Sequence, residues 1–94
     1  MPFIAAKMAH NPALAYGIKN RGFVREGYYA DCTLVDPSSP YAVQKDNLQY
    51  KCNWSPLEGS ELPAKVTHTF VNGSLVYENN QFGEQPGMQL SFLD

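Results

Sequence analysis

The sequence predicts a small α+β fold that is mainly β, with short N-terminal helices followed by strands of an antiparallel or mixed sheet. Three observations carry that expectation. Asn72-Gly73 stands between two alternating stretches, Lys65 to Val71 and Ser74 to Glu78, as in a hairpin closed by a two-residue turn. Cys32-Thr33-Leu34-Val35 is a short apolar run stopped by Asp36-Pro37, the pattern of a strand covered on both faces. Helical spacing is confined to the first seventeen residues.

Taking the elements in order, residues 3 to 9 read as a helical turn or two. Phe3, Ile4 and Met8 share a face, and Ala5, Ala6 and Ala9 favour the helix. Asn11-Pro12-Ala13 then opens a second short helix. Asn11 is placed to cap free amides, Pro12 to occupy the first helical position, and Gly17 to end the run. Such a helix is too short to stand alone in water, so Leu14 and Tyr16 must pack on something. Gly22 and Gly27 bracket Phe23 to Glu26 as a turn, a short extended stretch and a turn.

Between Asp36 and Ala64 no period is visible. Four prolines interrupt the stretch, and Tyr41, Val43, Leu48, Tyr50, Trp54 and Leu57 are spread along it. A loop this long with so many large apolar groups is expected to lie against a surface. In the hairpin, a two-residue turn pairs Val71 with Ser74, Phe70 with Leu75, Thr69 with Val76 and His68 with Tyr77. Val66, His68, Phe70, Leu75 and Tyr77 are then the buried face. The last stretch, Phe82 to Asp94, is polar with an apolar end at Met88, Leu90, Phe92 and Leu93.

Composition narrows the function classes. A chain of 94 residues with 44% hydrophobic and 17% charged residues is one small globular domain or part of a larger one. Its core is thin, because a chain of this size buries only roughly 60–65% of its unfolded surface. The net charge of −2 steers nothing, and the seven basic residues are scattered, which argues against a nucleic-acid reader. Cys32 reads as a small buried hydrophobe, and two cysteines do not make a disulfide framework. No stretch approaches a membrane span, and no leader is visible at the N-terminus, so a reduced, cytoplasmic protein is expected. On the same ground the glycosylation sequons at Asn53 and Asn72 are chance matches.

Candidate chemistry is sparse. His68 lies on the predicted buried face opposite Tyr77 and reads as a structural histidine; His10 borders a helix start. His10, Cys32, Cys52 and His68 have no spacing that suits a metal ion. Ser55 has no neighbouring base and reads as a turn serine before Pro56. Asp31 and Asp36 flank a strand and face its ends, and a catalytic carboxylate pair would need a cleft that the sequence does not suggest. Trp54 suits either packing against a missing domain or a small satellite core.

Four stretches, in order, resemble the C-terminal region of the cyclic amidohydrolases. Asn11-Pro12-Ala13 with Gly17 resembles the helix after the last catalytic strand of their barrel. Gly22 to Asp36, GFVREGYYADCTLVD, resembles the return into their small β-sandwich. Trp54-Ser55-Pro56-Leu57-Glu58-Gly59 is similar to the dihydroorotase signature SPFEG, and Val66 to Tyr77 resembles the closing hairpin. The resemblance spans roughly residues 4 to 83 and narrows to dihydroorotases, allantoinases and hydantoinases.

It implies residues 1–17 as the remnant of the last barrel helices and 18–94 as the C-terminal portion of the β-sandwich, the barrel being otherwise absent. In that family a zinc-bearing (β/α)8 barrel performs the hydrolysis with an HxH pair, a carboxylated lysine, two further histidines and an aspartate. None of those motifs occurs here, and the sequence begins after the position expected for the final aspartate. The resemblance therefore implies no catalytic, cofactor-binding or metal residue in this chain, with zinc in the full-length parent only. The implied partner is the missing barrel, or a second copy through exposed apolar surface. The alternative is a free-standing β-rich interaction module. The presence of the barrel motifs in the reading frame upstream of Met1 would separate the two.

Overall fold

In the computed structural model of the chain, residues 2–84 and 87–93 are described. Its order is helix first, then strands, and every strand pairing is antiparallel. The part of the last stretch formed by Gln85, Pro86 and Asp94 lies outside the described residues.

The expected pair of short helices is one helical run. α1 (Pro2–Ala5) passes into a π-helical turn (Ala6–His10) and then into α2 (Asn11–Tyr16). Asn11 is not a cap: its φ of −64° and ψ of −44° are helical, and its N–H donates to Ala6 O. Pro12 explains the wide turn. It has no N–H, and its ring pushes against the carbonyl four residues back, so the preceding turn opens to a longer hydrogen bond and does not break. Gly17 ends the run as the sequence predicts, at φ 65°, with the Ile18 N–H donating to Ala13 O at 2.9 Å.

Gly22 and Gly27 both take positive φ, 87° and 85°, but the stretch between them is not a strand. A turn closed by the Tyr28 N–H on Arg25 O occupies it, and Val24 projects into solvent. Gly22 is also where the chain crosses the helix: a Cβ there would stand 2.5 Å from Ala13 Cβ and 2.9 Å from Ala9 O.

The main sheet has the order β1-β4-β5-β6, formed by β1 (Cys32–Asp36), β4 (Lys65–Val71), β5 (Ser74–Glu78) and β6 (Gln81–Phe82). β1 lies at its end and pairs only with β4. It is not covered on both faces as expected: Thr33 and Leu34 are exposed, Leu34 by 49%. The loop from Asp36 to Ala64 folds on itself. β2 (Tyr41–Ala42) pairs with β3 (Glu61–Leu62), and the Val43 amide and carbonyl extend the ladder to Ser60 O and Gly59 N. Val43 is buried, whereas Tyr50, Trp54 and Leu57 are about half exposed or more.

The hairpin forms around Asn72-Gly73, with φ values of 51° and 83°. Val71 pairs with Ser74 and Phe70 with Leu75, as expected. Beyond them the register slips by one: Thr69 pairs with Tyr77 and His68 with Glu78, leaving Val76 as an extra residue in β5. With that bulge Val76 is buried and Leu75 exposed, the reverse of the expected face, and Val66, also expected there, is exposed too. A second irregularity, between Leu34 and Val35, leaves Thr67 unmatched in β4. Both bulge carbonyls are satisfied, Thr67 O by the Asn79 N–H at 2.9 Å and Val76 O by the Gly83 N–H at 2.8 Å.

A turn at Asn79-Asn80, both residues at positive φ, adds β6. The tail then returns to the helix end, where Ile18 bridges Phe92 and the Lys19 N–H donates to Ser91 O. Ala13, Val43 and Val76 are the buried hydrophobic residues among those described, and none of them is a large side chain fully enclosed.

Candidate functional site

The most tightly held polar group is Arg21, 9% exposed, between the helix and the hairpin turn. Gly17 and Gly22 fold the chain back so that its guanidinium reaches across the fold. Nη1 donates to Asp31 Oδ2 and, at 2.8 Å, to Asn72 Oδ1. Nη2 lies 3.4 Å from Met88 Sδ, and the guanidinium carbon sits 4.1 Å from the Tyr29 ring centroid. Asp31 uses its other oxygen to accept the Asn72 backbone N–H at 2.8 Å. Asp31 thus ties Arg21 to the hairpin turn, through partners that are not legible in the sequence. A lone arginine between glycines carries no mark of a partner 51 residues away.

Asp36 is held locally. It accepts from the Ser39 hydroxyl at 2.7 Å and the Ser38 N–H at 2.9 Å, and these, with Lys65 more weakly, hold its carboxyl below the usual 3.8. A depressed folded value means that any stabilisation from this group is present above its unfolded value and fades as pH falls through the folded one. A carboxyl NMR titration is expected to place the Asp36 midpoint below 3.8, and Ser39→Ala to move it upward. An unchanged midpoint in that variant would remove the hydroxyl as the cause.

An open cleft of about 650 Å³ lies between the two small sheets, lined by Tyr41, Asp46, Lys65, Tyr77, Asn80 and Phe82 among others. Burial, then the nearby Tyr77 and Asp46, push the Tyr41 phenol above its ordinary 10.0. The cleft holds one acid and one base on separate elements, with no arrangement of nucleophile, base and orienting group.

The other candidates stand apart. His10 stacks on Phe23 with ring centroids 4.3 Å apart. His68 faces Glu78 across the ladder at 4.0 Å and has Thr67 Oγ1 at 2.9 Å from Nδ1. It is half-buried and opposite Glu78, not Tyr77 as expected. Cys32 is half-buried in β1 and Cys52 is exposed, both as free thiols. Ser55 Oγ accepts the Leu57 N–H at 3.1 Å, as a turn serine does. Trp54 is 59% exposed, so the described residues build no satellite core around it. Among the described residues no group of three or more His, Cys, Asp or Glu side chains gathers to hold a metal ion. Among them, too, no helix is long and apolar enough to cross a membrane.

The fold and its polar groups define a small, mainly β unit that supports structure through Arg21. The Amidohydrolase family matches residues 4–76, and the chain belongs to that family. The dihydroorotase of Clostridium acetobutylicum is 40% identical to it over 74 residues, 79% of this chain and 17% of that enzyme. The dihydroorotase of Pyrococcus horikoshii is 37% identical over 83 residues, 88% of this chain and 20% of that protein. An allantoinase of Salmonella paratyphi B is 31% identical over 78 residues, 83% of this chain and 17% of that protein. The chain thus spans a fifth or less of the length of these curated relatives.

Proposed function

We propose that this chain is the scaffold-completing C-terminal region of a dihydroorotase-like hydrolase, closing its small β-sandwich and bracing its barrel without performing chemistry itself. In this reading residues 1–17 belong with the last barrel helices and 18–94 with the sandwich. The parent reaction is zinc-dependent hydrolysis of dihydroorotate to carbamoyl aspartate in pyrimidine biosynthesis, in the cytoplasm. Dihydroorotate is preferred over allantoin or a hydantoin because the dihydroorotases quoted above are more similar to this chain than the allantoinase. In this reading the parent's zinc is held by residues of the barrel.

The observation that carries the proposal is the mismatch between chain size and buried surface. The accessible area is 7340 Å². A self-contained monomer of 10.5 kDa should expose about 5,400 Å². The radius of gyration is 15.2 Å, against about 12.4 Å for a compact domain of 94 residues. Phe3, Ile4, Met8, Leu14 and Tyr16 on the helix are all half exposed or more. The unpaired edge of β1 offers backbone groups for a further strand. Both surfaces suit the missing part of the sandwich and the barrel.

The test has two arms. The isolated chain should self-associate in size-exclusion chromatography and hydrolyse no dihydroorotate. Exchanged for the matching segment of the Clostridium acetobutylicum dihydroorotase, it should yield a folded hydrolase whose turnover needs zinc. A stable monomer at every concentration would favour the free-standing module, and turnover by the chain alone would overturn the non-catalytic assignment.

A further inference from the structure

We propose that Asn72 is a spontaneous deamidation site that the folded hairpin holds shut. Asn72-Gly73 is the chain's one Asn-Gly pair, and a following glycine leaves the attacking nitrogen unshielded by any side chain. In the reaction the deprotonated Gly73 nitrogen attacks Asn72 Cγ. The new N–Cγ bond closes a cyclic imide, and the Cγ–Nδ2 bond breaks to release ammonia. Water then opens the ring, at Cγ to give aspartate or at the backbone carbonyl carbon to give isoaspartate. Water is the only co-reactant.

Two features of the fold oppose that attack. The Gly73 N–H donates to Ala30 O at 3.0 Å, so the nitrogen must give up this bond before it can lose its proton. The Asn72 side-chain carbonyl is held on Arg21 Nη1 at 2.8 Å, and Cγ must leave that contact to approach the Gly73 nitrogen. Arg21 is itself fixed by Asp31 and by its stacking on Tyr29. The Asn72 backbone, tied to Asp31 at 2.8 Å, keeps the turn from rotating into the reactive geometry. Deamidation therefore proceeds through local opening of the hairpin end.

The products do not fit the closed turn. Aspartate at this position sets a second carboxylate beside Asp31 on one poorly solvated guanidinium. Isoaspartate inserts a methylene into the backbone of a two-residue turn and misaligns the Val71–Ser74 pair. Each modification thus biases the hairpin end toward the open form.

The full chain is aged at mildly alkaline pH across a series of urea concentrations. Peptide mapping reads the deamidation mass gain and isoaspartate at each asparagine, and hydrogen exchange reads the Gly73 amide. Asn72 should be the fastest site in high urea. Its rate in the folded chain should be lower by roughly tenfold or more and rise in step with Gly73 amide exchange. Arg21→Lys, which keeps the charge but loses the fork, should raise the folded rate several-fold. If that variant is unfolded, the urea series on the unaltered chain decides alone. A rate at Asn72 that is flat across the series, or faster modification at Asn79 or Asn80 in high urea, would overturn the proposal.

Discussion

Arg21→Ala is expected to lower the folding free energy by about 2–3 kcal/mol, read as a shift in the urea unfolding midpoint at unchanged slope. The substitution strips Asp31 of its ion-pair partner and Asn72 Oδ1 of a donor, and it removes the cation from the Tyr29 ring. The figure sits below the loss for a wholly buried pair because the Asp31 side chain is 32% exposed, so water replaces part of the lost interaction. Arg21→Lys should fall between, since an ammonium keeps the charge but cannot serve Asp31 and Asn72 from one planar fork. If Arg21→Ala unfolds within about 0.5 kcal/mol of the unaltered chain, the guanidinium is not what joins the helix end to the hairpin.

Gly22→Ala is expected to cost a similar amount, about 2–4 kcal/mol, for a different reason. The backbone stands at φ 87°, where any side chain is strained. The new Cβ would also press on Ala13 Cβ at 2.5 Å and on the Ala9 carbonyl oxygen at 2.9 Å. The second contact is backbone and cannot rotate away. Gly27→Ala separates the two terms: its φ is 85°, but no atom lies within 4 Å of the added Cβ. That variant should lose only about 1 kcal/mol. Equal losses at both glycines, compared by thermal unfolding, would show that crowding against the helix contributes nothing.

The elements legible in the sequence are those whose determinants are local. Gly17 ended a helix, Asn72-Gly73 made a turn, and Ser55 capped its own backbone, because each outcome depends on a few adjacent residues. The errors share another origin. Proline favours the first position of a helix, but in the fold the residues before Pro12 are already helical and a widened turn absorbs it. The alternation of β5 gave the right pairs next to the turn and the wrong face beyond Phe70, because a bulge leaves no trace in apolar spacing. Cys32-Thr33-Leu34-Val35 has the pattern of a doubly covered strand, yet Thr33 and Leu34 are exposed. That mismatch is what a strand meant for a larger sheet would show. The Arg21 cluster was illegible because charge pairing over such separations has no period.

The two irregularities in the main sheet bear on how the chain avoids mispairing. One unmatched residue sits in β4 against β1 and the other in β5 against β4, and each carbonyl is engaged by a loop amide outside the ladder. Sliding β5 along β4 by a single step would break the bond from the Asn79 N–H to Thr67 O and take Val76 from its buried position. Alternative alignments, which a short alternating hairpin would otherwise sample freely, are thereby penalised at two separate points.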